Sequence, residues 1–168
     1  MATEIVFVAV SRSVTSSDLK PSLQAFKPPP AGFHEARWGT VINFNDQRLI
    51  VGFFTWDTVE DHLKFANSPR FSAVESSVKH LSASWPPVIH HVYFKQGLPF
   101  KLFRSRSSVI ELITLKRQGT APWDALLDPL KSFSNAASQQ GLDTSFYGTM
   151  HEDHKSLIIL FGWDSLEV

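Results

Sequence analysis

The stretch RLIVGFFTWDTVE at residues 48–60 decides the fold, because a second copy, KSLIILFGWDSLE, stands at residues 155–167. The two copies align without a gap at an offset of 107 positions. Upstream, the tripeptide Trp38-Gly39-Thr40 matches Tyr147-Gly148-Thr149, so the second copy has a connecting turn two residues shorter. Each copy is therefore predicted to run as strand, turn, strand and Trp-Asp, and the chain is predicted to hold an internal repeat.

The Trp-Asp pair at the end of each copy is predicted to start a helix. Asp57 with Glu60, and Asp164 with Glu167, have the spacing of a capping box, in which the first side chain accepts from a backbone amide of the first turn. After Asp57 the apolar residues recur with the period of an amphipathic helix. The pair Ser68-Pro69 interrupts that helix, and a second helical piece is predicted before the prolines at 86 and 87.

The remaining elements complete one βαββαβ unit and begin another. Strands are predicted at residues 4–10, 88–94, 109–116, 144–150 and 157–161, and further helices near 19–26 and 123–140. This order predicts an α+β fold of ferredoxin-like units. The predicted domains are a first unit at residues 1–95, a linker at 96–108, and a second, truncated unit at 109–168.

Composition narrows the classes of function. Of 168 residues, 43% are hydrophobic and 19% charged, which is typical of a folded globular protein. Sixteen Lys and Arg balance sixteen Asp and Glu, so the basic excess of a nucleic-acid binder is missing. There is no cysteine, and no apolar stretch is long enough to span a bilayer. We expect a cytoplasmic protein without a nucleic-acid or membrane partner.

The stretch FFTWDTVEDH at residues 53–62, with Gly162-Trp163-Asp164-Ser165 in the second copy, resembles the dimeric α+β barrel superfamily. That superfamily includes antibiotic-biosynthesis monooxygenase-like and stress-responsive barrel proteins, which often carry Gly-Trp-acid-Ser-x-x-x-His at this place. The first copy departs from the pattern, with Thr55 in place of the glycine. The resemblance implies two sheets paired into a barrel, with an apolar interior for aromatic or polyketide-like molecules. The activities it implies range from cofactor-free oxygenation to cyclisation, isomerisation, dehydration and haem degradation.

The candidate catalytic residues lie on the predicted strand 88–94. Alternation places His91 and Tyr93 on one face and His90 on the other. We expect His91 and Tyr93 to face the barrel interior, where a neutral imidazole can act as acid or base. A strand histidine that is half-buried and bonded to a backbone carbonyl is an equally good interpretation. His62, on the apolar stripe of the helix, is interpreted as a packed structural histidine rather than a base or a haem ligand.

The candidate substrate-binding residues are polar or aromatic side chains on predicted strands of both copies. They could anchor a carboxylate, an enolate or a carbonyl, or they could simply be cross-strand packing residues. The set is Arg37, Trp38, His90, Tyr147 and His151.

No metal or nucleotide site is expected. His90 and His91 are adjacent in a strand, so they point to opposite faces and cannot share an ion. The run His151-Glu152-Asp153-His154 lacks the spacing of a helical zinc motif. No glycine-rich phosphate loop occurs either, so no cofactor is predicted.

These observations lead to one leading function and two alternatives. The leading hypothesis is a cofactor-independent enzyme that acts on an apolar polyketide- or terpenoid-like molecule. It would catalyse cyclisation, isomerisation or elimination through acid/base or binding-driven catalysis. The alternatives are a cofactor-free monooxygenase and a non-catalytic binding or oligomerisation module. Because the second copy lacks the last helix and strand of the first, we also expect a homo-oligomer.

Overall fold

In a computed structural model the chain forms two compact units, Met1–His91 and Val92–Val168. The structure describes residues 1–11, 14–15, 17–41, 48–84, 86–97, 99–104, 109–120 and 122–165. The boundary between the units falls within one strand, which begins in the first unit and ends in the second. Among the residues described, no helix has the length and apolar composition needed to cross a membrane.

The first unit has the ferredoxin-like arrangement that the sequence predicts. Its strands are ordered β2-β3-β1-β4, and β3 pairs antiparallel with both β1 and β2. The second helix of the motif is divided at Ser68, as predicted from Ser68-Pro69. The elements are β1 (Ala2–Val10), α1 (Lys20–Gln24), β2 (Phe33–Val41), β3 (Arg48–Trp56), α2 (Val59–Ala66), α3 (Pro69–Lys79) and β4 (Val88–Phe94).

One face of this sheet carries the core of the first unit. Side chains alternate along a strand, so every second residue of β1 and β3 points to the same face. On that face Val8, Phe54 and Trp56 pack with Phe26 from the segment after α1 and Phe65 of α2. Burial of these large apolar side chains holds the helices on the sheet, at about 1.5–3 kcal/mol for each side chain.

Helix α2 begins one residue later than the Trp-Asp pattern predicts. Its N-cap is Thr58, whose Oγ1 accepts from the backbone N–H of Asp61 at 3.1 Å. The predicted capping box of Asp57 and Glu60 is therefore wrong, and the box is Thr58 with Asp61. Asp57 is bonded instead to the Nε2 of His34, at 2.7 Å.

The second unit repeats the strand order of the first. Its strands are ordered β4-β6-β7-β5, so the three strands of the second copy, β6-β7-β5, match β2-β3-β1. A short helix lies within the predicted linker at 96–108, with Leu102 fully buried. The elements after β4 are α4 (Phe100–Arg104), β5 (Val109–Lys116), α5 (Asp124–Ala137), β6 (Leu142–Met150) and β7 (Ser156–Trp163). The capping box predicted for Asp164 and Glu167 cannot be compared with the structure, because Glu167 lies outside the described residues.

Local irregularities recur in both units. The register of β2 shifts between Phe33 and Glu35, and that of β6 shifts between Leu142 and Thr144, which is the same place in the repeat. A glycine with positive φ precedes each of these strands, Gly32 at 74° and Gly141 at 92°. The carbonyl oxygen of each glycine accepts from the backbone N–H of the aspartate after the repeated tryptophan, at 2.7 and 3.0 Å. The predicted internal repeat is thus confirmed in its strands and in the glycine before β2 and β6, whereas the connecting turn between β2 and β3 lies outside the described residues.

Candidate functional site

A buried carboxyl group lies on the helix-covered face of the first unit. Glu4 of β1 is 5% exposed, and one of its oxygens, Oε2, accepts from the indole N–H of Trp56 at 2.9 Å. Burial disfavours the charged carboxylate and raises the pKa of Glu4 to about 8, while the bond from Trp56 lowers that pKa in part. Glu4 is therefore mostly protonated at neutral pH.

Two histidines continue from this carboxyl group, the first within ion-pair distance of Glu4 and the second hydrogen-bonded to the first. The Nε2 atom of His62 on α2 lies 3.3 Å from the Oε1 of Glu4. The Nδ1 atom of His62 lies 2.7 Å from the Nε2 of His91 on β4. His62 is 4% exposed and His91 is 6% exposed. We call Glu4, His62 and His91 the acid–histidine chain.

The two nitrogens of His62 face different partners, the carboxyl group of Glu4 and the ring of His91. Which ring donates in the bond between His62 and His91 depends on their tautomers. Because burial raises the pKa of Glu4, its neutral form is favoured in the interior. An imidazole can accept a proton at one nitrogen and release one at the other, so the acid–histidine chain can carry a proton.

An apolar cavity adjoins the acid–histidine chain. It has a volume of about 50 Å³ and lies between the sheet of the first unit and its helices. Glu4 and His62 line it, together with mostly apolar side chains from β1, β3 and α3. Glu75 of α3, an exposed residue, is also part of the wall. Pockets for drug-sized ligands have volumes of about 300–1,000 Å³, so this cavity has room for only one end of such a molecule.

The orientation predicted for His91 is wrong. A barrel interior lies on the face of a sheet that its helices do not cover, but His91 lies against α2 through its bond to His62. Ile89, two residues earlier, packs into the same helix-covered core. His90 lies on the opposite face, where its ring is 6.1 Å from that of Phe7. Strand alternation is kept, but the two faces are exchanged relative to the prediction.

Three predicted site residues lie in the second unit and do not line this cavity. Tyr93, near the end of β4, is 37% exposed, and its ring is 6.1 Å from that of His151. His151 follows β6 and is exposed. Tyr147 of β6 packs against the core of the second unit, and its backbone N–H donates to the side chain of Gln96.

The two predicted residues on β2 have different surroundings. Arg37 is an exposed residue that pairs with Glu35 on the same strand. Trp38 lines the cavity, and its ring packs edge-on against Phe54 with centroids 5.1 Å apart. Its indole Nε1 is buried and has no hydrogen-bond acceptor among the described residues.

Sequence reasoning missed Glu4 and undervalued His62. A signal for Glu4 existed, since the 107-residue offset that relates Trp56 to Trp163 also relates Glu4 to Glu111. In the second unit Trp163 donates to Glu111 at 3.0 Å, which repeats the first bond. Glu111 is exposed, however, so the Trp163–Glu111 pair is in contact with water, whereas the Trp56–Glu4 pair is buried.

The acid–histidine chain is not arranged as a metal site. Both nitrogens of His62 are directed at its neighbours in the chain, so the three groups do not converge on one point. Within the part of the chain that the structure describes, no group of three or more His, Asp or Glu could hold a metal ion.

The sequence matches no protein-family profile and no curated protein. Its fold is similar to several solved structures. Two are named "putative monooxygenase". The one from Fusobacterium nucleatum has a TM-score of 0.64 at 6% identity, covering 99% of this chain and 76% of that chain. The one from Lactobacillus acidophilus has a TM-score of 0.54 at 10% identity, covering 98% and 77%.

A third structure, of an anthrone oxidase-like protein, has a TM-score of 0.63 at 14% identity, covering 99% of this chain and 74% of that chain. At these identities the likeness concerns the fold. The predicted resemblance to the α+β barrel superfamily is confirmed at that level. The chain shares its fold with these proteins, and within this chain that fold is the tandem ferredoxin-like α+β arrangement that the Trp-Asp repeat predicts.

Proposed function

We propose that the protein is a cofactor-independent enzyme that abstracts a proton from an apolar small molecule held in the cavity of the first unit. The observation that carries the proposal is the acid–histidine chain at the wall of an apolar cavity. Proton abstraction is the first step of the isomerisation, elimination or aldol-type cyclisation predicted from the sequence. A polyketide- or terpenoid-like substrate would place its reactive end in the cavity.

Glu4 is the proposed base. A catalytic base works best when its pKa lies near the working pH, and the pKa of Glu4 is about 8. Its carboxylate would take a proton from an acidic carbon or hydroxyl of the substrate. The proton would then enter His62 at Nε2, and the proton on Nδ1 would pass to His91. In this proposal His91 is a positioning and relay residue rather than the group that meets the substrate.

Deuterium exchange tests this function without knowledge of the natural product. 2-Indanone, an apolar ketone with acidic C–H bonds beside its carbonyl group, would be incubated with the protein in D₂O without oxygen. We expect exchange above the uncatalysed rate, which Glu4→Gln removes and Glu111→Gln retains. Exchange that is equal in Glu4→Gln and the unaltered protein would overturn the role of Glu4.

Cofactor-free oxygenation is the second candidate, favoured by the names of the structures with the same fold. It begins with the same proton abstraction, after which the substrate carbanion itself reduces oxygen. For anthrone the balance is C₁₄H₁₀O + O₂ → C₁₄H₈O₂ + H₂O, and the product is anthraquinone. Oxygen consumption that depends on anthrone and on Glu4 would favour this candidate. Deuterium exchange without any oxygen uptake would favour the first.

A further inference from the structure

We propose that Trp38 anchors the substrate by donating a hydrogen bond from its indole N–H to a carbonyl, enolate or phenol oxygen. The inference rests on the proposed function, and it specifies the ligand as a mostly apolar molecule with an oxygen acceptor at its enclosed end. Trp38 lines the same cavity as Glu4 and His62.

The indole nitrogen of Trp38 has no partner among the described residues. Nε1 is buried, and no described residue accepts its hydrogen bond. A buried donor without an acceptor destabilises the folded protein, because the hydrogen bond it made to water is lost. By contrast, the indole N–H groups of Trp56 and Trp163 both donate to glutamates. A ligand oxygen in the adjoining cavity would supply the acceptor that Trp38 lacks.

The sheet holds the indole ring of Trp38 in place. Trp38 lies opposite Gly52 on β3, and the six-membered part of its indole covers that glycine. A Cβ atom at Gly52 would come within 2.5 Å of the ring. The absence of a side chain at Gly52 therefore makes room for the ring. The ring atoms that cover Gly52 belong to the six-membered part of the indole, and Nε1 is in the five-membered part. Phe54 packs edge-on against the ring and fixes it further.

The strand register gives the distance between Trp38 and Glu4, the proposed base. Gly52 lies opposite both Trp38 and Val6, and Glu4 precedes Val6 on the same face of β1. With strands about 4.8 Å apart and residues about 3.3 Å apart along a strand, the Cα atoms of Trp38 and Glu4 are about 12 Å apart. Both side chains line the same cavity, so we infer that one ring of a substrate can present its oxygen to Trp38 and its acidic C–H to Glu4.

The experiment uses 2-indanone and indane, which have the same ring skeleton but differ in the carbonyl group. The protein would be labelled with ¹⁵N at its tryptophans, and Trp38→Phe would assign the Trp38 indole signal by its loss. We expect 2-indanone to move that signal downfield, as hydrogen bonding does, and indane not to do so. Trp38→Phe should bind 2-indanone about three- to tenfold more weakly, the effect of one hydrogen bond, with indane affinity unchanged.

A Trp123→Phe protein provides the matched control, since it removes an indole from the core of the second unit. Equal affinity of Trp38→Phe and the unaltered protein for 2-indanone, or the same shift of the Trp38 signal with both ligands, would overturn the proposal. The experiment distinguishes a failure of the Trp38 anchor from a failure of the proposed function. Binding of 2-indanone at Trp38 without deuterium exchange would refute the catalytic proposal alone, whereas exchange that is unaffected by Trp38→Phe would refute the anchor alone.

Discussion

The indole of Trp56 donates to Oε2 of Glu4 at 2.9 Å, and this bond joins the start of β1 to the end of β3 in the interior of the first unit. It leaves the other oxygen, Oε1, facing His62. One carboxyl group thus connects a structural feature of the repeat with the acid–histidine chain.

Stability should fall as the pH rises, because of Glu4. Its pKa is raised from 4.5 to about 8, so the folded state keeps a proton that the unfolded state releases. The free energy of unfolding should then fall by up to about 1.4 kcal/mol per pH unit between the two pKa values. Glu4→Gln mimics the protonated acid, so it should match the unaltered protein below about pH 4.5, exceed its stability increasingly up to about pH 8, and keep that advantage above it.

Urea unfolding across that pH range measures this effect. The groups that face Glu4 are Trp56, His62 and, through His62, His91, with Glu75 also on the cavity wall, and all are retained in the variant. Glu111→Gln is the matched control, since it alters the exposed copy of the same bond and should leave the pH dependence unchanged. A Glu4→Gln protein destabilised equally at every pH would contradict the burial of a neutral Glu4.

The rate of proton abstraction should rise with pH through a midpoint near pH 8, the pKa of Glu4, and level off at higher pH, where Glu4 is fully ionised. His91→Gln interrupts the relay and should lower the rate by about 10² to 10⁴, the usual effect of losing a general acid or base. It should also shift the midpoint of the pH profile, which a purely structural role would not do. His90→Ala, on the other face of β4, should retain the profile. Equal profiles for His91→Gln and the unaltered protein would remove His91 from the mechanism.

The N-cap of α2 should be Thr58 rather than Asp57. Thr58→Ala removes the oxygen that accepts from the backbone of Asp61, and should lower the free energy of unfolding by about 1 kcal/mol. Asp57→Ala removes an exposed pair with His34 and should cost no more than about 1 kcal/mol, typically less. Chemical denaturation of both variants decides the order, and a larger loss for Asp57→Ala would restore the original capping box.

Gly52 and Gly39 form a matched pair for the packing of Trp38. An alanine at Gly52 would bring Cβ within 2.5 Å of the Trp38 ring, whereas one at Gly39 meets its nearest neighbour, a methyl group of Val51, at 3.8 Å. Gly52→Ala should therefore destabilise the protein by about 1–3 kcal/mol, as overpacking does, and displace the indole. Gly39→Ala should be neutral. Thermal unfolding with tryptophan fluorescence would show both effects, and equal behaviour of the two variants would argue against the contact.

Self-association remains a prediction. In the second unit β5 is at the end of the strand order and is paired by β7 alone among the described strands. Such an edge exposes backbone groups to pairing with another chain. Sedimentation velocity at tens of micromolar, on the order of the concentrations at which exposed edges associate, should show a species larger than the monomer. A pure monomer would refute the expectation.

The sequence predicts the elements better than the environment of the site. The strand at 88–94 has the predicted bounds, because prolines before it and Gly97 after it delimit a β-branched and aromatic run. Alternation also separates His90 from His91 correctly. It does not indicate which face the helices cover, since that depends on how α2 packs on the sheet. The raised pKa of Glu4 is harder still to predict from the sequence. It arises from burial among residues as distant as Trp56, which is 52 residues away along the chain.

The duplicated Trp–Glu bond has a consequence for comparing related chains. Since both units have the bond, a Trp–Glu pair in this fold does not by itself mark a reactive unit. What distinguishes the two copies is shielding from water, because burial raises the pKa of Glu4 to about 8 whereas Glu111 is exposed. Changes in the surrounding apolar side chains alone can therefore alter the chemistry of one copy, with the hydrogen-bonded pair left intact.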